Sequence, residues 1–289
     1  MKKYFFISDI HSFFTEMIDA LHKNGFDENN HDHILVVLGD VFDRGFETKK
    51  VFLFLHSLPK ERLILIRGNH ESLYRDLMLK SFPDSYDFSN GTVRTFCDIA
   101  GFNEEVLSGS YWWKKAYLED KEPWEYTHMI QEYWNQIVDI VSMSDVTKWI
   151  ESDDWVNYFE TDKYIFVHSW IPAATRPAIS NYDYPQKEYD YKEEYGYRED
   201  WRYATDSEWQ DASWGCPWKK AKEDWNKTGK TIVCGHWHTS DFFNHLTKRH
   251  KNKYDCPLFK SKRYKLIGLD ACTAVSGKVN VLVLNEDEL

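Results

Sequence analysis

The chain has 289 residues, 42% hydrophobic and 17% aromatic, more apolar surface than a disordered segment carries and enough to bury a substantial core. Acidic residues number 47 against 36 basic ones, a formal net charge of -11, which excludes a protein that grips duplex nucleic acid by general phosphate neutralisation. A phosphate-bearing ligand must be held by a local site.

Tyr4 to Ile7 reads as a strand running into Ser8 and Asp9. The run is too short for the core of a secretion signal, and no stretch approaches the roughly 18 apolar residues that span a bilayer. A cytoplasmic protein without membrane contacts is expected. Phe13, Phe14, Met17, Ile18 and Leu21 then recur at helical spacing. Ile34 to Leu38 is a second strand, and Val51 to Leu58 suits a helix stopped by Pro59. Leu63 to Ile66 is a third strand, followed by a helical stretch from Leu73 to Leu79. Three strand-loop-helix units in a row predict an α/β fold with a parallel sheet whose reactive groups gather at the carboxyl ends of the strands.

Residues 85 to 156 read as a helical insertion. Tyr126, Ile130, Tyr133, Trp134, Ile137, Val138 and Val141 trace one aromatic face, read as core and not as a cofactor box. Tyr164 to Val167 and Thr231 to Cys234 are further strands; between them, residues 171 to 212 form a tyrosine- and acid-rich insertion. Tyr264 to Leu269 and Lys278 to Leu284 are expected to close the chain as a hairpin turning at Ser276-Gly277. One domain, residues 1 to 289, is expected. Cys97, Cys216, Cys234, Cys256 and Cys272 are odd in number and include no C-x-x-C pair, so they read as reduced thiols.

The strand ends carry the chemistry. They bear Asp9 and His11, then Asp40, Asp43 and Arg44, then Asn69 and His70, then His168, then His236 and His238. Each piece alone has an ordinary explanation: a polar loop, a helix cap, a structural histidine. Five together, each at a strand end, do not. Imidazoles with carboxylates and one amide oxygen suit manganese, iron or zinc and differ from the all-oxygen cages of calcium, and so many donors suit two metals.

The motifs "DIH", "GDVFDRG", "RGNHE", "VHS" and "CGHWH" resemble the calcineurin-like metallophosphoesterase superfamily, and "GDVFDRG" with "RGNHE" its phosphoprotein phosphatase branch. The resemblance covers residues 4 to 80, 163 to 170 and 230 to 285. It implies a four-layer α/β/β/α sandwich and two divalent ions, manganese first, iron or zinc as alternatives. Asp9, His11 and His238 would serve the first metal, Asp40 would bridge, and Asn69, His168 and His236 would serve the second. His70 would be the general acid, Asp43 would orient it, and Arg44 would grip phosphate. The activity implied is hydrolysis of phosphate monoesters in phosphoserine or phosphothreonine proteins by water activated between the metals. The alternatives are a nucleotide hydrolase of the diadenosine tetraphosphatase or phosphodiesterase type, and an inactive scaffold, which should lack a ligand or the acid. None is lacking. The sequence departs from the branch where Ser8 and Ser12 flank "DIH" and where Trp170 follows the third histidine. A second phosphate-gripping arginine is offered by Arg176 or Arg202, with Arg198 a further candidate.

Overall fold

The structure is a computed structural model that describes residues 1–177 and 192–289. Its strands are β1 (Lys3–Ile7), β2 (His33–Val37), β3 (Leu63–Ile66), β4 (Trp155–Val156), β5 (Tyr158–Glu160), β6 (Tyr164–Val167), β7 (Ala174–Pro177), β8 (Lys192–Gly196), β9 (Thr231–Cys234), β10 (Phe259–Ser261), β11 (Leu266–Gly268) and β12 (Leu282–Asn285). One sheet runs β12-β1-β2-β3-β4 and a second β10-β11-β9-β6-β5, with β7 and β8 forming a separate hairpin. Within the first, β1 to β4 are parallel and β12 is antiparallel; within the second, β6, β9 and β11 are parallel.

Strands buried on both faces need apolar residues at every position, which is why these runs do not alternate with polar residues. Phe5, Ile7, Leu35 and Val37 point outward to helices 14–23, 48–57 and 92–100. Phe6, Ile34, Val36 and Ile66 point the other way and meet Phe166, Val233 and Ile267 of the second sheet. Phe6 and Phe166 stack with ring centres 4.1 Å apart. The far face of the second sheet, Ile165, Val167, Ile232 and Cys234, is covered by Trp209, Ala221 and Phe242 from helices 206–213, 217–222 and 239–246. The four layers are those of an α/β/β/α sandwich.

The predicted hairpin at the end of the chain does not form. Residues 273–276 are a short helical turn, β11 pairs with β9 and β10, and β12 crosses to the other sheet to pair with β1. Leu282 and Leu284 are thereby buried between the sheets, an outcome that local turn chemistry cannot foretell. Residues 85 to 156 contain five α-helices and two short 3-10 turns, yet the stretch closes with β4, which extends the first sheet. The aromatic face is core: Trp134 is fully buried and stacks on Phe96. Part of the tyrosine-rich stretch, residues 178–191, lies outside the described residues. The rest is β7, β8 and helix 206–213, with Trp201 fully buried. All five cysteines are free thiols. Among the described residues, no helix is long and apolar enough to cross a membrane.

Candidate metal centre

The carboxyl ends of β1, β2, β3, β6 and β9 converge, and the loops that leave them are sharply bent. Asp9, His11, Ser12, Asp40, Asp43, Arg44 and His236 all have left-handed backbone, with φ between 48° and 76°. Side chains with a Cβ adopt that region at a cost, and a cluster of such residues marks a site over-determined by its surroundings. Two glycines allow the loops to approach: a Cβ on Gly68 would lie 2.3 Å from Asp40 Oδ1, and one on Gly235 would lie 2.1 Å from Asp9 Oδ2.

Asp40 is at the centre and 2% exposed. Its Oδ1 accepts from the His70 backbone N–H (3.0 Å) and lies 3.3 Å from His168 Nε2. Its Oδ2 lies 3.8 Å from His11 Nε2 and 3.9 Å from His70 Nε2. His11 Nδ1 donates to the Phe42 carbonyl at 2.9 Å and His168 Nδ1 to the Leu38 carbonyl at 2.7 Å. A carbonyl only accepts, so each ring carries a proton on Nδ1, and in the neutral ring Nε2 then turns its lone pair toward Asp40. Asn69 Oδ1 sits 2.8 Å from His168 Nε2. Acceptors therefore face acceptors across the centre, as in a donor set meant to enclose a cation.

His11, Asp40 and His70 form one group able to hold a metal ion; Asp40, His168 and His236 form another. They share Asp40. Burial, then Arg44 and His70, holds His11 well below the ordinary imidazole pKa, and burial takes His236 down to about 3, so both imidazoles are neutral, the form able to ligate a metal. Imidazole nitrogen with carboxylate oxygen fits a divalent transition metal.

Asp9 is 1% exposed and belongs to neither three-donor group. Its carboxylate accepts from the His236 backbone N–H (2.9 and 3.1 Å) and from Ser8 Oγ. Burial and the neighbouring Asp40 push it up to about 8. His238 faces Asp270, with Nε2 4.0 Å from its carboxylate, and is also outside both groups.

His70 Nδ1 contacts Asp43 Oδ2 at 2.6 Å, and the Arg44 guanidinium donates to His70 Nε2 at 3.3 Å. Burial disfavours charge on His70, and the carboxylates of Asp40 and Asp43 outweigh it, so its pKa is raised. Arg202 is not brought to this cluster. It pairs with Glu160, whose register partner Ile165 lies near the amino end of β6, whereas His168 follows the carboxyl end. Arg176 pairs with Glu193 across the β7-β8 hairpin, and Arg198 pairs with Asp200 and Glu208. Trp170 is 2% exposed and belongs to the core of the second sheet.

Glu71, the last residue of "RGNHE", has a role that the motif alone does not assign. It is buried and accepts from the backbone N–H groups of Gly68 (2.7 Å), Val41 (2.9 Å) and Asp40 (3.1 Å), joining the loops after β2 and β3. Its place beside His70 in "RGNHE" was the available signal. A polar cavity of about 410 Å³ opens beside His168 and Gly68, lined also by Arg67, Arg75, Asn157 and Ser169.

The calcineurin-like phosphoesterase family model matches residues 2–240. A 67-residue stretch is 39% identical to the symmetrical bis(5'-nucleosyl)-tetraphosphatase of Buchnera aphidicola subsp. Acyrthosiphon pisum (strain 5A) and 36% identical to that of Buchnera aphidicola subsp. Baizongia pistaciae (strain Bp). Each match spans 23% of this chain and 23% of the relative's own length. Among solved structures, the protein is similar to a cold-active protein tyrosine phosphatase of a psychrophilic Shewanella species, with TM-score 0.50, 14% identity, and coverage of 99% of this chain and 76% of that one. A putative diadenosine tetraphosphatase matches with TM-score 0.50 and 14% identity, covering 100% of this chain and 91% of that one. At such identity the likeness is one of fold.

Proposed function

The chain belongs to the calcineurin-like phosphoesterase family, and from that premise we propose a two-metal phosphoester hydrolase in which His70 protonates the leaving group. The observation that carries this reading is the sharing of Asp40 between two donor groups, with His70, a member of the first, bonded to Arg44. Asp9, His11 and Asp40 would hold one divalent cation; Asp40, Asn69, His168 and His236 would hold the other, with manganese, iron or zinc suited to both. Bound there, the cations would supply an activated water and neutralise charge on the phosphate.

The remaining work falls to side chains. Arg44 has only donors, in a planar fork that matches two phosphate oxygens. Its bond to His70 Nε2 requires a lone pair there. A phosphate that takes over the guanidinium frees Nε2 to carry a proton, which Asp40 and Asp43 favour, and His70 then delivers it to the departing oxygen.

We assign phosphoserine- or phosphothreonine-type monoesters as the first substrate class, because a departing alkoxide needs that proton. Dinucleoside polyphosphates are the second reading, favoured by the local match to symmetrical tetraphosphatases. Turnover of a phosphoserine peptide, p-nitrophenyl phosphate, its bis ester and diadenosine tetraphosphate with manganese separates them. Preferred hydrolysis of the peptide supports the first reading, and of the tetraphosphate the second. No turnover with metals bound would make the chain a binding scaffold. His70→Asn should keep both metals and lose about 100-fold in kcat on the peptide, with a smaller loss on p-nitrophenyl phosphate. Loss of a metal instead would make His70 a ligand.

A further inference from the structure

Helix 92–100 belongs to the insertion, outside every motif, yet it is bonded along the loop that carries Asp43 and Arg44. Thr92 Oγ1 donates to Asp43 Oδ2 at 2.8 Å, and Thr95 Oγ1 donates to Asp43 Oδ1 at 2.7 Å. Thr95 Oγ1 also accepts the Asp43 backbone N–H at 3.0 Å. Both threonines are fully buried, and their three-residue spacing puts both hydroxyls on one face of the helix. The same helix sends Arg94 Nη1 to the Arg44 carbonyl (2.7 Å) and Asp98 to the Thr48 N–H (2.9 Å). Gly91, just before it, lies so close that a Cβ there would be 2.4 Å from the Arg44 nitrogen.

The Asp43 carboxylate is 1% exposed. Two oxygens must be aimed by three donors: Thr92, Thr95 and the His70 Nδ1–H. With both hydroxyls in place, Oδ2 has one direction left for the imidazole. Without them the carboxylate can rotate about χ2, and the ring it holds can turn with it.

We propose that Thr92 and Thr95 are positioning residues that lock the Asp43 carboxylate and, through it, aim His70 Nε2 at the leaving-group oxygen. The proposal rests on the assignment of His70 as acid and adds that the insertion is part of the catalytic apparatus.

The test is a Thr92→Val/Thr95→Val double variant beside Thr92→Ser/Thr95→Ser, wild type and His70→Asn. Valine keeps the volume and removes the hydroxyl; serine keeps the hydroxyl. The expected result for the valine variant is a kcat loss of at least about tenfold on a phosphoserine peptide, a smaller loss on p-nitrophenyl phosphate, and unchanged KM and metal content. The serine variant should recover most of the loss. In long-range proton-nitrogen NMR spectra of the metal-free protein, the Nδ1–H signature of His70 should persist in the serine variant and weaken in the valine one. Equal losses on both substrates, no recovery by serine, or an unchanged signature would overturn the role. If His70→Asn itself shows no leaving-group dependence, the acid assignment falls first; if it does and the valine variant does not, only the positioning role falls.

Discussion

Asp9 shows what crowding does to a single residue. Burial, with Asp40 nearby, pushes its pKa from 3.8 up to about 8, and Asp270 is pushed up to about 7 by burial and then Asp9. A raised carboxyl binds a proton in the folded state that the unfolded chain has released, so its contribution to stability is complete below about pH 4 and lost as pH rises through 8. His11 and His236, both lowered from 6.5, act in the opposite sense but only below that value. Between pH 6.5 and 8 the metal-free protein should therefore lose stability, by at most about 2 kcal/mol from Asp9. Asp9→Asn should make the slope shallower. Urea unfolding across that window measures it, and a midpoint that stays level or climbs contradicts it. Gly68 poses a steric case: Gly68→Ala puts a methyl 2.3 Å from Asp40 Oδ1, so a stability loss of about 1–3 kcal/mol is expected together with weakened metal binding. Denaturant midpoints and metal titration report the two effects separately.

Among elements, helix 92–100 differs most from what its sequence suggests. Its periodic residues Val93, Phe96 and Ile99 announce a core helix, and they are buried as such. Nothing in them announces that Thr92, Arg94, Thr95 and Asp98 hold the loop after β2. Arg94 bonds the Arg44 carbonyl, pairs with Glu104 at 2.9 Å and lies over Phe46. Its partly exposed pair adds little to stability, so Arg94→Ala should lower stability by about 1 kcal/mol or less. Its larger effect should be a several-fold weaker inhibition by inorganic phosphate, because Arg44 loses a fixed backbone. Inhibition at the wild-type level would show that the Arg44 loop holds itself. The misjudged terminal hairpin is the same lesson in reverse: Ser276-Gly277 does turn the chain, but β11 pairs with the preceding β10 and with β9, and the partner of β12 is β1, far away in sequence.

For the whole molecule, the site exists because two sheets are joined. Asp9, His11, Asp40, Asn69 and His70 leave the first sheet, and His168 and His236 leave the second. The stack of Phe6 on Phe166 lies in the layer between them. Phe166→Ala should cost about 3–5 kcal/mol and also weaken metal binding, since the two halves of the donor set lose a shared reference. Isothermal titration on folded variant protein would show it; undiminished affinity would mean each sheet positions its donors alone.

By itself the sequence determined the strands that carry donors, the helices after the first three, and the residues gathered at the strand ends. These follow from local rules: apolar runs make buried strands, and donors at their ends have no other use for so much charge. Only the tertiary structure decided that β12 crosses to the first sheet, that Glu71 and the two threonines brace the loops, that Arg202 pairs with Glu160 on β5, and that His238 faces Asp270. Those outcomes depend on contacts between residues tens to hundreds of positions apart, and no local pattern encodes such contacts.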